Sequence, residues 1–441
     1  MSEKITARRL AFHSLLKCYN DKKYSNIEID SVIKKNNMDP REKALFTAIV
    51  YGVIEKRIML DYIISSLAQR PVEKIEPAVM TSLEMGMYQI LFFDRVPDSA
   101  ACNESVEITK RISGLGAASF VNAILRKTVN IKNSVENIYK NLKGNEYKSI
   151  KYSVPVWMIE VFEKSYGSEK AEEILKAFEA KSYMTLRTNT LRTDREGLVG
   201  ILCDGGISAE SCENVKSGVR LLRSVSQEHL NSVCDGLYIV QDAASQLAVE
   251  RLGVQKGDFI IDCCACPGGK SISAAFCAEN EGTVISMDLH KNKLSLIEKS
   301  AAAMGIDIIK TMAHDGTSPH EEYIEKADKV ICDVPCSGFG VIHKKPDIRH
   351  KLPGDIARLP DVQYAILTAS SKYLKKGGRL LYSTCTLNKS ENDDITARFL
   401  AENPNFRRVS GKAEGCTLFP TVKDGVILND GFFTDILERA E

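Results

Sequence analysis

The chain's most constraining feature is a run of five short apolar segments after residue 241, each released into a loop and then a helical pattern. They are DFIIDCC (258–264), GTVISMDL (282–289), IDIIKTMAH (306–314), KADKVICDVP (326–335) and GRLLYSTCT (378–386). Ile and Val dominate them and apolar residues do not alternate with polar ones, as a parallel sheet covered on both faces requires. Helical patterns follow at Lys270 to Ala278, Lys293 to Met304, Gln363 to Lys375 and Glu391 to Glu402. Antiparallel edge strands ending in GFFTDILER complete the expected doubly wound α/β domain, residues 241–441.

A chain of 441 residues exceeds what one core supports, so further domains are expected upstream. Residues 1–140 read as an all-α bundle: Ala7, Leu10, Ala11, Ser14 and Leu15 recur at helical spacing, as do Ala44, Leu45, Ala48, Ile49 and Val53. Residues 141–240 read as linker helices and a small α/β module. Its signals are the strand MTLRTNTL, a helix opened by Thr193-Asp194-Arg195-Glu196, a Gly205-Gly206 turn and the strand GLYIVQ.

Composition excludes several classes. With 44% hydrophobic and 27% charged residues the chain is an ordinary globular one. No run approaches a membrane span, and the stretch after Lys4, Arg8 and Arg9 is too short for a secretory signal. Thirteen cysteines at irregular spacing point to a reducing cytoplasm. The net charge of +1 hides a lean: residues 1–140 carry 21 Lys and Arg against 16 Asp and Glu. That excess alone is usually a solvated face.

In a doubly wound sheet ligands bind beyond the carboxyl ends of the strands. The first such loop is DCCACPGGKS. A P-loop would need glycine at Cys264, and the dinucleotide fingerprint needs spaced rather than adjacent glycines, so both fail. Gly268 and Gly269 still allow close backbone approach, and Lys270 opens a helix whose N–H groups favour a carboxylate. Asp288 ends the second strand, placed for ribose hydroxyls, and Asp315 follows the third, placed for an adenine amine. Each could equally be a helix cap. Taken together, they make S-adenosylmethionine the economical ligand.

Cys263 and Cys266 have zinc or redox spacing, yet no second ligand pair accompanies them and packing is the expected role. No metal is expected. The fourth and fifth strand ends carry DVPC and STC, so Cys336, Cys385 and Asp333 should share one cleft beside a methyl donor. Such a set suits methylation at a cytosine C5. A thiolate adding at C6 makes C5 nucleophilic, and an acid at N3 or N4 stabilises the adduct. Spacing leaves open which thiol attacks.

Together DCCACPGGK, DVPCSGFG with HKKPDI, YSTCTL with SENDD, and QDAASQ at 241–246 resemble the Sun/Fmu, or RsmB-type, 16S rRNA cytosine-C5 methyltransferases. NESVEITKR and FVNAILRK resemble that family's NusB-like RNA-binding domain, and LRTN at 186–189 its small RRM-like connecting module. The resemblance covers nearly the whole chain. It implies that Cys264, Ala265, Cys266, Pro267, Gly268, Gly269, Lys270, Asp288, Asp315 and Asp333 contact S-adenosylmethionine or the target base. It also implies that Cys385 is the nucleophile, that Cys336 assists product release and that Asp333 stabilises the base adduct. Val334 stands where alanine is usual.

The expected partner is 16S rRNA, naked or in an early small-subunit particle, met by a cytoplasmic monomer. Two rivals are the same chemistry on tRNA and a non-catalytic RNA-binding assembly or antitermination factor. His343, Lys344, Lys345 and Arg349 are expected to line the RNA path beside the cleft.

Overall fold

The computed structural model describes residues 6–21 and 23–440; residues 1–5, Lys22 and Glu441, with Lys4 among them, lie outside the described residues. The chain divides into two compact units, residues 1–171 with 345–351, and residues 172–344 with 352–441. Among the described residues no helix is long and apolar enough to cross a membrane.

The first unit is helical. Its elements are α1 (Ala7–Asn20), α2 (Ser25–Lys35), α3 (Pro40–Ala68), α4 (Pro77–Phe92), α5 (Asp98–Ile131), α6 (Gly144–Tyr152) and α7 (Val156–Tyr166). Local signals set the starts: Asp39 and Glu42 form a reciprocal capping box before α3, and Pro40 and Pro77 occupy first-turn positions. Within α5, Gly114 at φ +84° breaks the helix, separating the NESVEITKR and FVNAILRK segments. The helix α4 is the hub, with Leu83, Met85, Met87 and Ile90 fully buried. On it the buried Glu84 accepts from the Tyr19 hydroxyl at 2.9 Å and lies 3.4 Å from Arg57 Nε.

Seven residues that follow the DVPCSGFG loop, Lys345–Lys351, belong to this helical unit. Asp347 accepts from the Ser25 N–H at the start of α2, at 3.0 Å. Arg349, 2% exposed, donates to the carbonyls of Tyr152 and Ser153 at 2.8 and 3.2 Å. His350 Nε2 bonds the Ile54 carbonyl at 2.7 Å, and burial drives its pKa down to about 4.

In the second unit, after α8 (Ser168–Ala177) and β1 (Lys181–Ser182), a four-stranded antiparallel sheet has the order β3-β4-β2-β5. Its strands are β2 (Thr185–Thr188), β3 (Ala209–Ser211), β4 (Gly218–Leu221) and β5 (Tyr238–Val240), packed with α9 (Arg195–Asp204) and α10 (Gln227–Cys234). Asn189, fully buried, donates to the carbonyls of Gly236 and Met304 and accepts from the Leu191 N–H. One amide thus ties the LRTN segment to the turn before β5 and to the C-terminal end of the helix Lys291–Met304.

The larger sheet follows α11 (Ala243–Leu252) and contains β6 (Phe259–Asp262), β7 (Thr283–Asp288), β8 (Ile309–Ala313), β9 (Ala327–Asp333) and β10 (Leu374–Thr384). Between them run α12 (Gly269–Cys277), α13 (Lys291–Met304), α14 (Pro353–Ile356) and α15 (Leu359–Ser371); α16 (Asp393–Glu402) comes after β10. The five strands are parallel in the order β8-β7-β6-β9-β10, so the winding reverses beside β6. Then β11 (Phe406–Arg408), β12 (Cys416–Leu418), β13 (Thr421–Lys423), β14 (Val426–Asn429) and β15 (Phe432–Arg439) follow. The GFFTDILER strand, β15, is not an edge: it lies antiparallel between β10 and the short strands β11 and β12. The open edge falls to β8, whose residues are only partly buried despite its apolar sequence.

Candidate active site

The loop after β6 is held from both sides. Cys263 donates its N–H to the Ile331 carbonyl of β9 at 2.9 Å, and Ala265 donates to the Met287 carbonyl of β7 at 2.8 Å. Cys266 donates its N–H to Asp288 Oδ2 at 3.2 Å. Gly268 turns the chain into α12 at φ +108°, and a Cβ there would press within 3.3 Å of Ile297. The loop, strand-end Asp288 and α13 are therefore one fitted piece. Cys263 sits in the sheet core, and Cys266 packs on Ala265, Leu294 and Ile297. Burial pushes both thiols up to about 12. Among the described residues no group of three or more His, Cys, Asp or Glu side chains is placed to hold a metal ion.

Below the loop is an acid the sequence reading passed over. Asp262 is fully buried, accepts from Ser271 Oγ at 2.7 Å, and is pushed up to about 7 by burial. Ser271 is in turn bonded by Ser286 at 2.8 Å.

Around the rim, Asp288 accepts from the His290 N–H at 2.9 Å and Asp315 accepts from the N–H and hydroxyl of Thr317 at 2.9 and 2.8 Å. These bonds hold Asp315 below the usual carboxylate range. They are the turn-forming contacts weighed as the alternative role, and they use only part of each carboxylate's acceptor capacity.

Lys270 is buried. Its Nζ lies 2.7 Å from Asp333 Oδ2 and 3.0 Å from Ser245 Oγ, and 5.1 Å from the centre of the Phe432 ring. Asp333 also accepts from Ser383 Oγ at 2.7 Å, so the strand ends of β9 and β10 are clamped side by side. From the QDAASQ run, Gln241 bonds the Gly269 carbonyl at 3.0 Å and accepts from Ser273, and Gln246 donates to the Leu186 and Gln241 carbonyls.

Cys336 and Cys385 meet with their sulfurs 3.3 Å apart, both half-buried. Register explains it: Ser383 of β10 pairs with Asp333 of β9, so three residues on along one strand meets two residues on along the other. Glycines let the loops close. Gly340 donates its N–H to the Cys385 carbonyl at 3.0 Å and accepts from the Gly431 N–H at 2.9 Å. A Cβ on Gly340 would fall 1.9 Å from the Gly431 carbonyl oxygen. The hydrogen bond shared with the Cys385 sulfur, and then burial, hold the Cys336 thiol well above its ordinary range.

Behind the two thiols lies a buried polar brace. Glu391 accepts from the Ser337 N–H, Gln363 Nε2 and Asn388 Nδ2 at 2.8, 2.9 and 2.9 Å. Thr384 donates to Asn392, and Asn392 donates to the Thr386 carbonyl. The SENDD run that holds Glu391 and Asn392 was part of the motif set, yet gave no role. A polar run directly after a strand-end thiol was the available signal.

The basic cluster expected along the RNA path is not one. The His343 side chain is 2% exposed and stacks on Phe178 at 5.5 Å. Lys344 is held between Asp242 at 2.9 Å and Asp430 at 2.6 Å. Arg349 is buried in the helical unit, and of the four only Lys345 is left as an exposed charge without a named partner here.

Three family models match consecutive parts of the chain. Residues 5–130 match the NusB family, residues 154–228 the ferredoxin-like domain of RsmF/B-like methyltransferases, and residues 249–427 the 16S rRNA methyltransferase RsmB/F. The probable ribosomal RNA small subunit methyltransferase B of Bacillus subtilis is 34% identical, covering 98% of both chains. Its counterpart from Synechocystis is 33% identical over 91% of both. Among solved structures, PH0851 shares the fold over the full length of both chains, with a TM-score of 0.79 at 23% identity. NSun6 from Pyrococcus horikoshii, solved with SFG, matches 65% of this chain and 98% of its own with a TM-score of 0.55 at 21% identity. With like sequence from end to end, and with Asp333, Cys336 and Cys385 brought together at the strand tips, this chain belongs to the ribosomal RNA small subunit methyltransferase B family of methyltransferases.

Proposed function

We propose that this methyltransferase acts on C5 of a cytosine in 16S rRNA, through a covalent bond between Cys385 and C6 of the base. The observation that carries the reading is the pair of thiols 3.3 Å apart beside the clamped Asp333. The rRNA target rests on the helical NusB-family portion and on the names of the relatives. Residues 1–140, 141–240 and 241–441 would then divide the labour into RNA binding, connection and catalysis.

The rim fits S-adenosylmethionine. Asp288 and Asp315 keep acceptor positions for ribose hydroxyls and an adenine amine, and the turn at Gly268 opens α12, whose first N–H groups at Gly269 and Lys270 have no intrahelical acceptor and suit a carboxylate. Bound there, it supplies an electrophilic methyl group. No phosphate cradle is needed, which agrees with Cys264 at the place where a P-loop has glycine.

Cys385 adds as thiolate to C6, and the C5=C6 electrons pass into the ring toward N3. Asp333, placed by Ser383 and Lys270, holds the N3–N4 edge and acts there as the acid, passing a proton to N3 as that charge forms and taking it back when the C5=C6 bond is restored. C5 becomes nucleophilic and gains the methyl group. A base then removes the C5 proton, the C5=C6 bond re-forms, and the Cys385 sulfur leaves as thiolate. Cys336, in contact with that sulfur, is the group placed to serve release.

The test is trapping on rRNA. Cys336→Ala should accumulate an RNA-linked species that survives denaturation, and Cys385→Ala should give neither turnover nor adduct. The reverse pattern in a denaturing gel exchanges the two roles. Absence of label from methyl-labelled cofactor in 16S rRNA taken from a strain lacking the protein overturns the reading as a whole.

A further inference from the structure

Glu391 is a buried acid beside the two thiols that the mechanism above leaves unused. It is fully buried, and the groups it accepts from are neutral: the Ser337 N–H and the amides of Gln363 and Asn388. Its own carbonyl accepts from the Tyr382 hydroxyl at 2.7 Å. Gln363, also fully buried, spends its second amide hydrogen on the Pro335 carbonyl at 2.9 Å. The residues on either side of Cys336 are thus both fastened through this one carboxylate.

A brace alone does not call for a charge. The carboxylate meets three N–H donors, one of them the N–H of the residue that follows Cys336. The titratable and charged groups around that thiol are Cys385 from the end of β10, Glu391 from the turn after it, and Asp333 from the end of β9. Tyr382 lies within electrostatic reach, and Lys270 of α12 is spent on Asp333. The two sulfurs touch, so one ionises at the expense of the other. The Glu391 charge breaks that near-symmetry.

We propose that Glu391 is a positioning residue that keeps Cys336 in its protonated form, so that Cys385 alone of the pair becomes the attacking thiolate. This deepens the nucleophile assignment above and rests on it. Cys336 then enters the cycle as a neutral thiol and can act on the departing sulfur as a proton donor, the proton coming from its own S–H.

Thiol chemistry tests this without RNA, so its failure is separate from failure of the methylation reading. In full-length Cys385→Ser protein, the rate of Cys336 alkylation by iodoacetamide is followed by peptide mass spectrometry from pH 6 to 10, with and without Glu391→Gln. Removing the charge should lower the pH midpoint by roughly one unit or more, near tenfold faster alkylation at pH 8. Gln363→Ala, which loosens the brace and keeps the charge, should leave the midpoint near its original place. An unchanged midpoint in Glu391→Gln, or an equal shift in Gln363→Ala, reduces Glu391 to a mechanical brace and overturns the proposal. Wild-type protein gives a check independent of any variant's folding: at pH 7.5 Cys385 should be alkylated several-fold faster than Cys336, and the opposite order also overturns it.

Discussion

Asp262 and Lys270 show how much of this site is set by single side chains below the reacting atoms. Asp262 is pushed up to about 7 by burial, against an ordinary value of 3.8. The folded protein therefore holds a proton that the unfolded chain gives up between about pH 4 and pH 7. Stability from this group is full below pH 4 and is lost as pH rises to 7. Asp262→Asn abolishes that loss. Relative to wild type, its unfolding free energy should rise by on the order of 2 kcal/mol from pH 5 to pH 7.5, read by urea denaturation at the two values. Parallel behaviour at both would mean that Asp262 is ionised throughout. The resemblance implies that Lys270 contacts the cofactor or the target base, and its ammonium is ion-paired with Asp333. Sequence distance hid this, since 63 residues separate the partners.

At the scale of elements, the five strands and the two thiol-bearing strand tips were legible because a parallel sheet imposes a long apolar run on each strand. The edge strand was not. β8 is as apolar as its neighbours, and only pairing, which the sequence does not display, leaves it half-exposed. Nor was the fate of the HKKP charges legible, because Lys344 is neutralised by Asp430, 86 residues on. The DVPCSGFG loop depends on one backbone approach. Gly340→Ala drives a methyl group into the Gly431 carbonyl; shifting Gly340 breaks its bond to the Cys385 carbonyl, and shifting Gly431 breaks its bond to the Gly340 carbonyl. The expected cost is roughly 1–3 kcal/mol, with turnover falling by a larger factor than cofactor affinity. Equal losses in a denaturation curve and in turnover would place the effect in the fold alone.

For the whole molecule, the helical unit is built from two separate stretches of chain. Its second stretch brings Arg349 to the Tyr152 and Ser153 carbonyls, His350 to the Ile54 carbonyl, and Asp347 to the start of α2. Breaking a buried, hydrogen-bonded arginine of this kind costs several kcal/mol, about 3–5 for a charge with one partner removed. Arg349→Ala should therefore lower the melting temperature of the helical unit, detected by circular dichroism at 222 nm, while the Cys336 and Cys385 alkylation rates stay near wild type. A fragment of residues 1–171 should gain stability when a synthetic 343–353 peptide is added; no shift at saturating peptide would show that the helices close without it.

The Lys345–Lys351 insertion also bears on the order in which the chain is made. A ribosome releases residues 1–171 long before residue 345, and during that interval the carbonyls of Ile54, Tyr152 and Ser153 lack the side-chain donors that Arg349 and His350 bring. The helical unit can be completed only after most of the catalytic sheet, through β9 and the first thiol loop, has been synthesised. Truncation anywhere before residue 351 therefore leaves both units unfinished, so a nascent chain carries no finished helical unit ahead of the sheet that bears the two thiols.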